Sequence, residues 1–210
     1  MTRKAFCYRL QRLIYGGFAN DDAEITINFI NNILGDAIGF AAKQNYTENL
    51  KIDSIGYVNN SFYTTFRDLE ITVSNDGIFF YEATLPQVPV GLGANRGIAS
   101  GKIYQSANDP SYDMIPLTEN QLSYFELLPP VNGIPYWNEG NKLKFRTEIL
   151  LYPNYKARVR MVSGGDSTDM NSELNVPPDY FPVMTEYILK QLGFERAQKQ
   201  DLSNDGSDQA

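Results

Sequence analysis

The chain contains no histidine and only one cysteine, Cys7. The first absence removes the commonest general base and metal ligand near neutral pH. The second excludes an internal disulfide and any cysteine-based zinc cluster. Positive charge is also in the minority, with 18 Lys and Arg against 25 Asp and Glu and a net charge of −7. That balance argues against a nucleic-acid binder working by phosphate neutralisation. No apolar run is long enough to span a bilayer. The basic start of the chain lacks a signal-peptide core, because Arg9, Gln11 and Arg12 interrupt its apolar residues. The expectation is a protein made in the cytoplasm, away from membranes, without cofactor or metal.

What is present is enough to fold. The chain has 210 residues, 42% of them hydrophobic, with 14 Tyr and 12 Phe. Tyrosine suits half-buried surfaces, including interfaces. One stretch, residues 20–46, stands out as a long proline-free helix. Asp21 is placed as its N-cap, with Asp22 and Glu24 in the first turn, where the helix dipole favours negative charge. Ile27, Ile30, Leu34, Ile38 and Ala41 line one face at helical spacing. Ile25, Phe29, Ile33 and Phe40 line a second face. Asn28, Asn32, Gly35 and Gly39 form a third, on which two glycines predict close approach by another helix. A helix with water behind it needs a single apolar stripe. Two readings therefore stand: a central helix buried in its own domain, or burial at a subunit interface.

Residues 3–15 read as a shorter helix with Phe6, Leu10, Leu13 and Ile14 on its apolar side, ended by Gly16 and Gly17. After Tyr46 the pattern shifts to short β-type runs at 62–66, 70–74 and 78–85, with Asn75-Asp76-Gly77 as a hairpin signal. Residues 86–101 read as a long irregular loop, expected to be mobile in the isolated subunit and ordered by a neighbouring subunit or ring. Strands are predicted at 103–104, 113–117, 134–137, 142–145, 148–152 and 158–162, while 122–128 is ambiguous and 164–175 is a polar loop. Pro177-Pro178-Asp179 opens a last helix. Phe181, Met184, Ile188 and Leu192 form its core face, Glu186 and Lys190 its exposed pair, and Gly193 its end. The fold expected is α+β. N- and C-terminal helices (1–50 and 176–196) form a helical module, and an antiparallel β-rich domain (51–175) is inserted between them. Residues 197–210 form a polar, acidic, disordered tail.

No constellation has the pattern of an active site. Gly97 to Lys102 lacks the first glycine and the Ser or Thr of a phosphate-binding loop, and no helix is expected after it. Asp166, Asp169, Asn171 and Glu173 miss the spacing and glycine of a calcium loop. Asp76, Glu82, Glu139 and Glu148 offer carboxylates for glycoside chemistry, but nothing in the sequence pairs them. An enzyme is thus the weakest reading. A carbohydrate- or receptor-binding β module, with Tyr81, Tyr136 or Trp137 as stacking platforms, is the alternative, though it leaves the helices unexplained.

Several segments carry a likeness to a known group: the 20–46 helix, TLPQVPVGLGANRGIAS at 84–100, MIPL at 114–117, YWNEGNKLKF at 136–145 and VPPDYFPVMTEYILKQL at 176–192. Their order resembles the head–tail connector proteins of short-tailed bacteriophages, including ring proteins of crAss-like phages. The resemblance implies a virion structural protein at the head–tail junction, a closed homo-oligomeric ring of about twelve copies. Its partners would be itself, the portal protein and adjoining tail or ring proteins, with genomic DNA passing through the channel without specific binding. The subunit or ring interface expected on this reading comprises Ile25, Phe29, Ile33, Gly35, Gly39, Phe40, Asn95, Arg96, Phe181 and Tyr187.

Overall fold

The computed structural model describes residues 1–17, 25–75, 80–92, 97–106, 110–117, 121, 133–147, 149, 151, 153–163 and 169–193. The fold is α+β, and the described residues form three α-helices and seven strands that close into a barrel. Helix α1 is Arg3–Ile14, opened by Thr2, whose hydroxyl accepts from the Ala5 N–H. Gly16 and Gly17 both have positive φ, and the Gly17 N–H returns to the Arg12 carbonyl at 2.7 Å. This is the glycine-dependent helix end that the sequence implies. On the buried side of α1, Leu13 is replaced by Cys7 and Arg3: Leu13 is 56% exposed, and Arg3 only 1%.

Helix α2 is Ile27–Asp53, so both expected ends move. Its N-cap is Thr26, not Asp21, and the Thr26 hydroxyl accepts from the Phe29 N–H at 3.2 Å. Asp21, Asp22 and Glu24 lie outside the described residues. At the other end the helix runs two turns past Tyr46. Those turns carry no apolar stripe, since Leu50 and Ile52 are exposed. Hydrogen bonds hold them instead. Tyr180 donates to Glu48, the Asn45 amide donates to the Tyr180 hydroxyl at 3.0 Å, and the Asn49 amide donates to the Tyr57 carbonyl at 3.0 Å. The Asn45 oxygen also accepts from the Asn59 N–H at 2.8 Å, joining the helix to the start of the barrel.

The strands are β1 Tyr63–Val73, β2 Tyr81–Thr84, β3 Ile98–Tyr104, β4 Tyr112–Pro116, β5 Ile134–Glu139, β6 Lys142–Phe145 and β7 Lys156–Val162. Around the barrel they run β1-β2-β6-β5-β4-β3-β7, all antiparallel except the β4–β5 pair. The two runs expected at 62–66 and 70–74 are one long strand, β1. It pairs with β7 from Tyr63 to Glu70, across a bulge between Phe66 and Leu69, and with β2 from Ile71 to Val73. The expected loop 86–101 is shorter than the sequence suggests. Ile98 pairs with Met161 and opens β3, and Leu92 is buried among the helices. The expected strand 148–152 is replaced at its described residues by non-strand backbone, with Leu151 accepting from the Tyr155 N–H in a turn. The ambiguous 122–128, Asp76, Gly77 and the 197–210 tail lie outside the described residues.

Alternation sorts the strand side chains. Ala157, Val159 and Met161 of β7 point inward with Ile103, Ile134, Leu143 and Phe145 to fill the barrel. A second buried cluster joins Phe6, Cys7 and Leu10 of α1 to Ile30, Leu34, Ile38 and Ala41 of α2, and to Met184 and Ile188 of helix α3 (Phe181–Gln191). Phe62, Leu92 and Val162 come into it from the barrel side. Each Ile or Leu removed from water there stabilises the fold by roughly 1.5–3 kcal/mol. Glu186 and Lys190 form the expected exposed pair at 3.0 Å, and Gly193 follows α3 with φ of 75°.

Candidate functional site

The first face of α2 is spent within the chain, and the remaining faces bear the candidate site. Ile25 and Ile33 pack partly buried against the helical cluster. Ile25 is further fixed to α1, because its N–H donates to the Tyr15 hydroxyl at 2.9 Å and its carbonyl accepts from Gln11 at 3.1 Å. Phe29 and Phe40, by contrast, are 50% and 45% exposed. Phe40 stacks on Tyr187 of α3 with ring centroids 5.0 Å apart. The sequence therefore places four residues on one face, and the fold partly buries two of them.

The glycines behave differently from expectation. A side-chain carbon at Gly39 would meet Val90 at 3.6 Å, while one at Gly35 would meet nothing within 4 Å. No other helix among the described residues comes within 4 Å of a side-chain carbon built at either position. The neighbour of Gly39 is the extended segment 86–92, held across β7 by Gln87, whose amide donates to the Ser163 carbonyl at 2.9 Å. Between this segment and α2 lies an open groove of about 460 Å³ lined by Gly35, Asp36, Gly39, Phe40, Lys43, Val88 and Tyr187. Val88 on its rim is 62% exposed. Four of the expected interface residues thus share one groove. Phe181 lies elsewhere. It packs against Phe6 at 5.8 Å and lines a separate groove between α1 and α3. Asn95 and Arg96 lie outside the described residues.

The groove has little chemistry to offer a substrate. Its charged groups are Asp36, Lys43 and the buried Arg3, whose Nε donates to Asn31 at 3.2 Å. Ser163 Oγ is buried and has no hydrogen-bond partner among the described residues. Cys7 lies nearby in the cluster, where burial pushes its thiol up to about 11 against the opposing pull of Arg3. At neutral pH it is a protonated, poorly reactive group.

The other sequence candidates have structural roles. Gly97 to Lys102 enters and runs along β3, and Gly97 is pressed so closely on the Val90 carbonyl oxygen that an added carbon would lie 2.0 Å from it. Asp169 accepts from the Asn171 N–H at 2.9 Å and closes a turn, and Glu173 bridges to Thr2. No group of three potential metal ligands occurs among the described residues. Glu82 and Glu139 each pair with a β6 lysine, Lys142 and Lys144. Asp76, Glu148 and Asp166 lie outside the described residues. Tyr81 and Tyr136 cannot serve as stacking platforms: they point into the barrel core, 9% and 3% exposed, and burial pushes the Tyr136 hydroxyl up to about 12. Trp137 is half-buried.

One feature was hidden by whole-chain charge. The outer face of β1, β7 and β3 gathers Arg67, Lys102, Arg158 and Arg160 around a shallow hollow of about 250 Å³. The alternation of RVRMV in β7 signals a wet basic face, but only the barrel order brings Arg67 and Lys102 to its sides. No helix among the described residues is long and apolar enough to cross a membrane. Comparison of the chain with protein-family models and with curated protein sequences returns no match.

Proposed function

We propose that this protein is a virion structural protein, a head–tail connector that assembles as a homo-oligomeric ring between portal and tail. On this reading the helices form a module at residues 1–50 and 176–196, with α2 carrying its last turn on to Asp53, and the barrel is the inserted β-rich domain. The observation that carries the reading is the outward face of α2. Phe40 stands half-exposed in the groove with Gly35, Tyr187 and the exposed Val88, and Phe29 stands half-exposed about three turns earlier, on a helix whose first face already packs inside its own chain. Apolar groups gathered on one face mark contact with another protein. The order of segments that resembles phage connectors supports the same conclusion, as does a groove poor in reactive groups. The protein acts by assembly and not by catalysis. Neighbouring subunits would cover the α2 groove, and the barrel would project to adjoining rings, with DNA passing through the channel.

The test is a phage particle made with and without this protein. Heads that cannot retain DNA or attach a tail are expected in its absence. Complete, filled, tailed particles would overturn the reading.

A further inference from the structure

Arg67, Arg158 and Lys102 stand three abreast on the outer face of the barrel. Arg158 of β7 pairs with Lys102 of β3 on one side, and on the other it faces the β1 bulge between Phe66 and Leu69, where Arg67 sits. Neighbouring strands are about 4.8 Å apart, and like charges directly opposite one another destabilise a sheet. The next row outward is Thr65, Arg160 and Ser100, a cation between two hydroxyls.

Among the described residues carboxylates offset this charge only in part: Asp68, in the same bulge as Arg67, is taken up by Lys156 at 3.6 Å and by the Tyr104 hydroxyl, which donates to it at 3.1 Å. Lys102 reaches Asp113 at 3.5 Å, but both side chains are largely exposed, which leaves the pair weak. Arg158 and Arg160 lie 6.0 and 5.0 Å from the ring centroids of Tyr104 and Tyr63. Those contacts hold the guanidiniums in place without neutralising them. Arg160 also donates to the Asn60 side chain at 3.2 Å, a neutral partner. No carboxylate among the described residues forms an ion pair with Arg67, Arg158 or Arg160. Both strands flanking β7 carry a bulge beside these residues, one between Phe66 and Leu69 and one between Ile98 and Ser100. Bulges re-aim side chains and recur beside functional sites.

We infer that the β1–β7–β3 face binds the phosphodiester backbone of a nucleic acid, without reading its sequence. The cations of β7 repeat every second residue, about 6.7 Å apart, and so form a row and not a single focus. A row suits a polymeric anion carrying a charge every ~3.4 Å of axis per strand. Three of the four groups around the hollow are arginines, whose forked donors match phosphate oxygens. Thr65 and Ser100 add the hydroxyl donors that accompany such contacts. The whole-chain charge of −7 does not oppose this, because a local face governs contact within a Debye length of about 8–10 Å. The inference stands on this face alone and does not depend on the ring reading.

The experiment measures binding of the intact chain to a fluorescein-labelled, mixed-sequence DNA duplex by anisotropy across a salt series. Binding at low salt is expected, with log K falling against log salt at a slope near −3, since each neutralised phosphate contributes ~0.9. The double variant Arg67→Ala/Arg158→Ala should bind at least about tenfold more weakly, with a slope shallower by about 2. It should melt no lower than the parent, because it relieves like-charge crowding. Lys142→Ala/Lys144→Ala, which removes lysines already paired with Glu82 and Glu139, should bind like the parent. No binding at low salt would overturn the inference. So would equal losses in both double variants, or binding of polyglutamate with none of DNA.

Discussion

The barrel and the helical cluster solve the same burial problem to different degrees. In the barrel every strand has two hydrogen-bonded neighbours, so closure leaves no sheet edge, and inward side chains such as Val159, Leu143 and Phe145 are fully buried. The helices close less completely. α1, α2 and α3 share one buried cluster, yet Leu13, Phe29, Phe40, Leu50 and Ile52 remain 44–78% exposed. Backbone pairing completes a barrel within one chain, whereas a helix completes its own hydrogen bonds and can leave a whole side-chain face unmatched. The barrel is therefore the part whose backbone pairing is complete, although Val73 and Tyr112 stay 59% and 36% exposed on it, and the helical surface is the face that the proposed association would cover.

Substitutions in the two clusters should first show what they share. Ile30→Asp places an unpaired charge where exposure is 0%. Its expected cost, ~4 kcal/mol or more, is comparable with the whole stability of a domain. Phe145→Ala in the barrel, also at 0% exposure, should cost about 3–5 kcal/mol through the cavity left behind. Denaturant unfolding followed by circular dichroism measures both. A variant that unfolds at the parent midpoint would mean that its cluster does not hold the fold.

The seam between the two parts offers smaller effects. Gly97→Ala forces a carbon against the Val90 carbonyl oxygen, where backbone has to move, and should cost about 1–3 kcal/mol. An unchanged melting temperature would show that segment 86–92 is not fixed against β3. Tyr180→Phe removes the hydrogen bonds to Glu48 and Asn45 and should cost about 1–2 kcal/mol, because the buried Asn45 amide loses a partner. Its pH dependence sharpens the result. The hydrogen bond from Tyr180, then that from Gln44, holds the Glu48 carboxyl below its ordinary value. A lowered folded value means that the unfolded state binds the extra proton first as pH falls. This stabilisation is present above the ordinary carboxylate range and is lost as pH drops through the folded value. Burial, then the hydrogen bond to Glu48, raises the Tyr180 hydroxyl, so that contribution is present below about pH 10 and fades above it. Stability of Tyr180→Phe should vary less at both limits. Parallel curves for variant and parent would remove Tyr180 from the account.

Cys7 gives the smallest effect. Its buried thiol, pushed up to about 11, should resist iodoacetamide at neutral pH in the folded protein and react once denaturant is added. Rapid labelling of the native chain would show that the α1–α2 contact opens readily.

Much of this architecture was legible in the sequence, for identifiable reasons. Helical periodicity located the buried face of α2 because Ile30, Leu34, Ile38 and Ala41 meet one cluster. Periodicity missed the last two turns because Asn45, Glu48 and Asn49 hold them through side-chain hydrogen bonds. It also missed the start of β3, where glycines at 97 and 101 suggested a loop. Gly97 is needed because the Val90 carbonyl presses against it, while at Gly101 an added carbon would crowd the flexible Met114 side chain. The exposure of Phe29 and Phe40 was not separable from the partial burial of Ile25 and Ile33, which share their spacing. The basic barrel face was the hardest to see. Arg67, Lys102 and Arg158 are far apart in sequence, and only the order β1-β7-β3 makes them neighbours.

The central claim is that the outward face of α2 is an interface between copies of this chain, and mass in solution tests it most directly. Sedimentation velocity across a concentration series should show the parent associating into species larger than a monomer. The double variant Phe29→Ser/Phe40→Ser, altered at side chains already 50% and 45% exposed, should stay folded, losing about 1–2 kcal/mol with the Phe40–Tyr187 stack, and remain monomeric throughout. Parent and variant sedimenting identically, either both as monomers or both as the same oligomer, would contradict the account.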